Sequence, residues 1–196
     1  MTRTLPRAAL ALTFLPLAGC ISFGAKPPAS LLTLTAATPI AVGPVQSSAQ
    51  ARAILLQLPT TPASLATQRV PVQATATTLA YVPDALWAEP PARLFARLLA
   101  DTLTAGGAVV ISGVQPVDSP AGKLSGELRA FGFDATERSA VVTFDATLTR
   151  SGSTALEKRR FEARVPVAAI DAATAGTAIN DAANQVAAQV AQWAAQ

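Results

Sequence analysis

The single cysteine of the chain, Cys20, closes the run Leu17-Ala18-Gly19-Cys20, and covalent chemistry is most plainly written there. A short basic head with Arg3 and Arg7 comes first, then an apolar stretch from Ala8 to Leu17. A charged start, an apolar core too short to span a bilayer permanently and small residues at its end make a secretory signal. With cysteine directly after the small residues, the pattern is a bacterial lipobox. The thiol is diacylated, the peptide bond before Cys20 is cut, and the new amino group is acylated. At roughly 0.8 kcal/mol per buried methylene, two or three acyl chains anchor a protein stably where one is marginal. The plainer alternative is an ordinary secretory signal with an incidental cysteine. Ile21 follows the cut. An Asp in that place usually means retention at the inner membrane, so Ile21 favours the inner leaflet of the outer membrane, facing the periplasm.

The remaining reactive side chains are few. The chain has no His and no second Cys, which removes Ser-His and Cys-His catalysis and a zinc site of the usual nitrogen and sulfur ligands. It also removes an intramolecular disulfide, so packing alone must hold the fold. Two carboxylates could in principle cleave a glycan. The candidates Glu127, Asp134, Glu137 and Asp145 fall on alternating strand positions among Thr and Arg, facing solvent, where perturbed protonation is not expected. The expectation is a protein that is not an enzyme, with no metal and no cofactor beyond lipid on Cys20. Two of fifteen basic residues leave with the signal, so thirteen face twelve acids in the mature chain. No Lys/Arg cluster is interleaved with aromatics, which argues against nucleic acid as a partner.

The elements that carry these residues follow from periodicity. Residues 1–19 are the signal peptide, 20–29 a flexible tether with Gly24, Pro27 and Pro28, and 30–196 one domain. Ser30 to Thr35 is a first strand candidate and Thr38 to Gln50 a loop. Ala51 to Leu58 is an apolar run stopped by Pro59, the mark of a strand buried on both faces. Arg69 to Gln73 holds Pro71, which restricts it to an edge or a bend. Thr75 to Val82 reads as a strand by its Thr, Tyr and Val content.

A helix then runs from Pro90 or Pro91 to about Ala105, with Leu94, Phe95, Leu98, Leu99, Thr102 and Leu103 on one stripe and Arg97 four residues before Asp101. Gly106-Gly107 ends it, and Ala108 to Ser112 completes a strand–helix–strand unit. Leu124 to Thr136, Ser139 to Arg150 and Leu156 to Val165 alternate as an antiparallel meander, with Ser151-Gly152-Ser153 as a turn. A last helix from Asp171 or Thr174 to Ala195 carries Ile179, Ala183, Val186, Val190 and Trp193 inward. The fold class is α/β in the α+β sense: a single domain, a mostly antiparallel sheet, two main helices on one face.

Between the third strand and the first long helix stand Tyr81, five residues, then Trp87, Ala88, Glu89, Pro90 and Pro91. Tyr, Trp and Pro at these offsets before an amphipathic helix, behind a lipobox and an apolar strand ending Leu58-Pro59, resemble the signature of the ABC-type transport auxiliary lipoprotein family. The resemblance covers the whole mature chain, although Leu31-Leu32-Thr33-Leu34 lacks aromatics that relatives often carry. It implies a partner of MCE-domain lipid transport systems, in which an inner-membrane ABC transporter drives lipid through periplasmic MCE proteins and the auxiliary lipoprotein sits at the outer-membrane end. It implies Tyr81, Trp87, Glu89, Pro90 and Pro91 as the motif positions that would meet a partner.

Two readings of the motif stand side by side. Trp87 fills a gap between helix and sheet while Glu89 caps the helix and the prolines fix its entry angle, or Trp87 is a hot spot of a partner surface. The basic run Lys158-Arg159-Arg160 is either a solvated strand edge that discourages aggregation or a contact for anionic head groups or an acidic partner.

The expected function is a non-enzymatic outer-membrane lipoprotein that docks an MCE conduit. Energy comes from an ATPase elsewhere, since no Gly-rich phosphate loop with Lys and Ser or Thr occurs in this sequence. The alternative is an envelope assembly or structural lipoprotein, a plug or chaperone for an outer-membrane protein or lipopolysaccharide export machine. A homo-oligomeric ring would let so small a domain encircle a conduit, with the weakly polar second side of the last helix as its seam.

Overall fold

The sheet is built around its longest strand, β5 (Gly122–Asp134). The computed structural model describes residues 30–49, 51–113 and 120–196, so the expected signal peptide 1–19, Cys20 and the tether 20–29 lie outside the described residues. One edge of β5 pairs along its whole length with β6 (Ser139–Arg150), from Gly122 opposite Arg150 to Asp134 opposite Ser139, and β6 pairs with β7 (Leu156–Pro166). This is the meander the alternation predicts. Gly152, at φ +74°, makes the second turn. The first is closed by the Asp134 carboxylate, which accepts the backbone N–H groups of Thr136 (2.9 Å) and Glu137 (3.1 Å).

Two strands share the other edge of β5 end to end. β1 (Ala53–Leu56) runs parallel to Ile54's partner Gly122 and on to Leu124, while β2 (Arg69–Thr75) runs parallel beside Phe133 and Asp134. Between them the bridge from Thr60 to Glu127 keeps the chain against β5. The sheet therefore forks. β4 (Val109–Ser112) lies outside β1 in parallel, and β3 (Thr78–Leu86) lies outside β2 in antiparallel. The seven strands make a mixed sheet in which the antiparallel meander supplies the long ladders.

Several sequence expectations change here. Ser30 to Thr35 forms one bridge among the described residues, Leu32 to Trp87, and at Thr35 the backbone is bonded by side chains of another element, described below. β2 is an interior strand despite Pro71. The missing N–H falls at a register shift between Arg69 and Pro71, the bend that makes proline tolerable. Directly opposite, Gly132 leaves room that no other residue could, since a Cβ there would lie 2.2 Å from the Pro71 carbonyl oxygen.

The expected strand Thr75 to Val82 is really the end of β2, a turn, and the start of β3. Gln73 Nε2 donates to the carbonyls of Thr75 and Thr78, and the hydroxyls of those two threonines meet across the turn. β3 then runs on through Pro83 to Leu86, which its edge position permits.

Both helices cover one face. α1 (Pro91–Ala105) carries the chain from the β3 edge to the β4 edge, so the expected strand–helix–strand unit spans the sheet instead of joining neighbours. α2 (Ala172–Ala195) begins at Asp171, whose carboxylate accepts the Thr174 N–H at 2.9 Å in a reciprocal capping box. Its last turn receives the Arg52 guanidinium at the Ala195 carbonyl, a cation at the negative end of a helix. Three aromatic pairs stitch the layers. Phe95 of α1 meets Phe144 of β6 (5.2 Å between centroids), Trp193 of α2 meets Phe161 of β7 (5.5 Å), and Trp87 meets Phe131 of β5 (5.2 Å), all tilted.

The stripe Ile179, Ala183, Val186, Val190 and Trp193 is buried as expected, but so are Ala175, Ala178, Ala182, Ala187 and Ala194. The small-residue side of α2 is taken up within the domain by α1 and the segment around Leu32, while Thr177, Asp181, Gln185, Ala188, Gln189 and Gln192 form its exposed, weakly polar side.

The opposite face of the meander is a lattice of charges. Asp145, expected to face solvent, is 7% exposed. Arg160 grips it through Nε (2.6 Å) and Nη2 (2.8 Å), and Arg129 approaches to 3.8 Å. The hydrogen bonds from Arg160 hold the Asp145 carboxyl below its ordinary range against the opposing effect of burial. Arg164 similarly joins Glu162, Asp134 and Glu137. In Lys158-Arg159-Arg160, Arg160 is thus committed to Asp145, while Arg159 lies 5.0 Å over the Phe161 ring.

Candidate functional site

The motif residues meet where three segments cross. Tyr81 sits in β3 opposite Pro71, half-buried, with the Arg69 guanidinium carbon 4.0 Å above its ring. Trp87 follows the end of β3 and is held on both sides. Its N–H donates to the Gln68 carbonyl (2.7 Å), while Leu32 N–H donates to the Leu86 carbonyl (2.7 Å) and Ala88 N–H to the Leu32 carbonyl (2.8 Å). Gln68 Nε2 adds a bond to the Ala88 carbonyl (2.9 Å).

The Trp87 side chain is wholly buried against Phe131, and its Nε1 has no hydrogen-bond partner among the described residues. In this structure the indole offers no surface to a partner, so it fills the gap between sheet and helix. Glu89 does not cap the helix. Pro90, with no capping side chain, occupies that position and buried Pro91 is the first helical residue. Glu89 instead pairs with Arg97, the residue whose spacing pointed to Asp101. The five motif residues therefore fix one corner, where β3 ends and α1 begins, with Trp87 and Pro91 buried and Tyr81, Glu89 and Pro90 partly exposed.

Leu32 is part of a strap rather than of the expected strand. Leu32, Leu34 and Ala36 are half-buried against the core, and the outward backbone groups are met by two asparagines of α2. Thr35 N–H donates to Asn180 Oδ1 (2.9 Å), Ala37 N–H donates to Asn184 Oδ1 (2.7 Å), and Asn184 Nδ2 donates back to the Thr35 carbonyl (2.9 Å). Two amides four residues apart on an otherwise small-residue helix face were the sequence signal for this. Amide side chains satisfy an extended segment as a neighbouring strand would.

Beside the corner a groove of about 850 Å³ opens between α1 and the C-terminal ends of β1 and β4. Leu55, Leu56 and Leu58 line the sheet side, and half-buried Ala96 and Ala100 line the helix side. Leu58 is 58% exposed. Arg93, Arg97 and Glu89 stand along it, and among the described residues Arg93 makes no ion pair. Apolar walls with charge along them are suited to binding. The carboxylates Asp134, Asp145 and Glu162 lie elsewhere, on the lattice of arginines, and all three are held below their ordinary range. Among the described residues no helix is long and apolar enough to cross a membrane.

Comparison with known proteins bears on the fold and the family. Protein XCC0632 from Xanthomonas campestris, of the family DUF330, superposes at a TM-score of 0.70 with 20% identity over 84% of this chain and 94% of its own. The crystal structure of an uncharacterized protein superposes at 0.62 with 21% identity over 72% and 91%. At these identities the likeness establishes the shared fold. A PelC L103M dodecamer from Paraburkholderia phytofirmans aligns at a TM-score of only 0.39 with 14% identity, over 76% of this chain and 95% of its own, too loosely to carry anything across. Among curated proteins no relative matches the chain. The family model described as ABC-type transport auxiliary lipoprotein component matches residues 32–191, from the first residue of the strap that docks on the motif to the last turn of α2, and the chain belongs to that family.

Proposed function

We propose that this chain is a non-enzymatic outer-membrane lipoprotein, anchored by acyl chains on Cys20 at the periplasmic face, that docks the periplasmic conduit of an ABC/MCE-type lipid transport system. The observation that carries this reading is the strap. Family membership makes the chain a lipoprotein component of ABC-type transport. Leu32, twelve residues after Cys20, is bonded to the backbone on either side of Trp87, and Thr35 and Ala37 just after it are bonded to the asparagines of α2. Twelve residues span at most about 40 Å, so an anchor at Cys20 keeps the domain close under the bilayer.

The ion-paired carboxylates of the outer face support a role without proton transfer, because groups held ionised by arginine make poor general acids. The corner of Tyr81, Trp87, Glu89, Pro90 and Pro91 serves by setting the direction of α1 and the strap. The test is affinity capture of the acylated protein from a mild detergent extract, with Cys20→Ser as control. An MCE-domain protein should co-purify, and the Cys20→Ser chain should leave the outer-membrane fraction. Capture of a β-barrel or lipopolysaccharide export machine in place of an MCE protein would move the protein to the envelope-assembly role, and an unmodified thiol on Cys20 would remove the anchor.

A further inference from the structure

We infer that the groove between α1 and the ends of β1 and β4 holds one acyl chain of an anionic phospholipid, with Arg93 and Arg97 facing its phosphate. The membrane-proximity part of this inference rests on the anchored reading above. The groove, at about 850 Å³, falls within the ~300–1,000 Å³ of ligand-sized clefts. Its walls are mainly aliphatic, with Gln57 and Ser112 among them, and Leu58, more than half exposed, leaves apolar area in water that a hydrocarbon chain would cover.

The floor discriminates between occupants. On β1 a peptide would find no free strand edge, since β1 is bonded to β4 on one side and to β5 on the other, and only the outer edge of β4 could pair with its backbone. An acyl chain has no such requirement. The charge is complementary. Two arginines and one glutamate line the groove, Glu89 is already paired with Arg97, and the net excess is one positive charge for one phosphate. The location fits as well. Glu89 is the neighbour of Ala88, which bonds to Leu32 of the strap, so the groove adjoins the point where the chain from the anchor enters the domain.

The experiment uses the acylated full chain reconstituted in phosphatidylcholine vesicles doped with phosphatidylglycerol that carries a photoactivatable diazirine in its acyl chain. After illumination, adducts are mapped by mass spectrometry. Adducts are expected on the peptides holding Leu55–Leu58 and Arg93–Ala100 as well as on the peptide that follows Cys20. Ala96→Phe, which fills the groove from its half-buried wall, should lower the groove adducts about tenfold and leave those near Cys20 unchanged. Leu58→Asp, at an exposed position, repeats the test without burdening the core. Arg93→Ala should reduce the preference for phosphatidylglycerol over an equally labelled phosphatidylcholine several-fold.

Adducts near Cys20 alone overturn the groove assignment and leave the anchored reading intact. Absence of both overturns the two together. Equal groove labelling in wild type and Ala96→Phe, or cross-links that seat residues 114–119 in the groove, also overturn it.

Discussion

Replacing Trp87 by alanine separates a structural tryptophan from one that grips a partner. The side chain is fully buried and stacked on Phe131. A buried tryptophan removes about 150–250 Å² from water, which at about 25 cal/mol/Å² is worth about 4–6 kcal/mol, and truncation to alanine in a packed core costs about 3–5 kcal/mol. Against a total stability of about 5–15 kcal/mol, the variant should lose a large part of its margin, and at roughly 2–4 °C per kcal/mol its melting temperature should fall by about 10 °C.

Phenylalanine at the same place is the informative control. Among the described residues the indole Nε1 has no partner, so Trp87→Phe keeps the contact with Phe131 and breaks no hydrogen bond there, and it should cost about 1–2 kcal/mol. The measurement is urea unfolding of the non-acylated Cys20→Ser chain by circular dichroism. With Trp87 gone, Trp193 is the only indole left, and its fluorescence reports the same transition. A cost under about 1 kcal/mol for Trp87→Ala, or equal costs for the two variants, would refute the burial argument.

Three further outcomes are expected. Gly132→Ala should destabilise by about 2 kcal/mol or more, because the new Cβ meets the Pro71 carbonyl oxygen at 2.2 Å and one strand must shift, which chemical denaturation measures. Asn184→Ala removes two bonds to the strap and should speed hydrogen exchange and protease cleavage over residues 32–37, with global stability changed by no more than about 1–2 kcal/mol. Stability should be level from pH 7 to about 5, where a chain without histidine has no side chain of ordinary pKa to titrate, and should fall below about pH 4. The sign follows from Asp134, Asp145 and Glu162. Their folded pKa values lie below the unfolded ones, so their stabilisation is complete above the unfolded values and is lost as pH drops through the folded ones. Asp145→Asn should weaken the protein at pH 7 and flatten that acid limb, which unfolding curves across pH will show.

What the sequence determined by itself is whatever a local pattern encodes. The two-residue alternation of Ala140, Val142, Phe144, Ala146 and Leu148 marks a strand with one core face, and the prolines before Arg93 and the glycines after Ala105 bound a helix. The motif offsets from Tyr81 to Pro91 were enough to indicate the family. The tertiary structure decided what depends on segments far apart in the chain. Nothing local shows that β1 and β2 divide one edge of β5, that Pro71 falls at the irregularity which makes it harmless, or that Arg97 turns to Glu89.

The same limit hid the strap. Its residues read as a strand because alternation reports burial on one side, while the partner of the backbone, here Asn180 and Asn184 some 145 residues away, is set by packing. Asp145 looked exposed for a related reason. Its strand position faces outward, and only the arginines of the neighbouring strands close over it. Periodicity tells which way a side chain points, and the fold decides what it meets there.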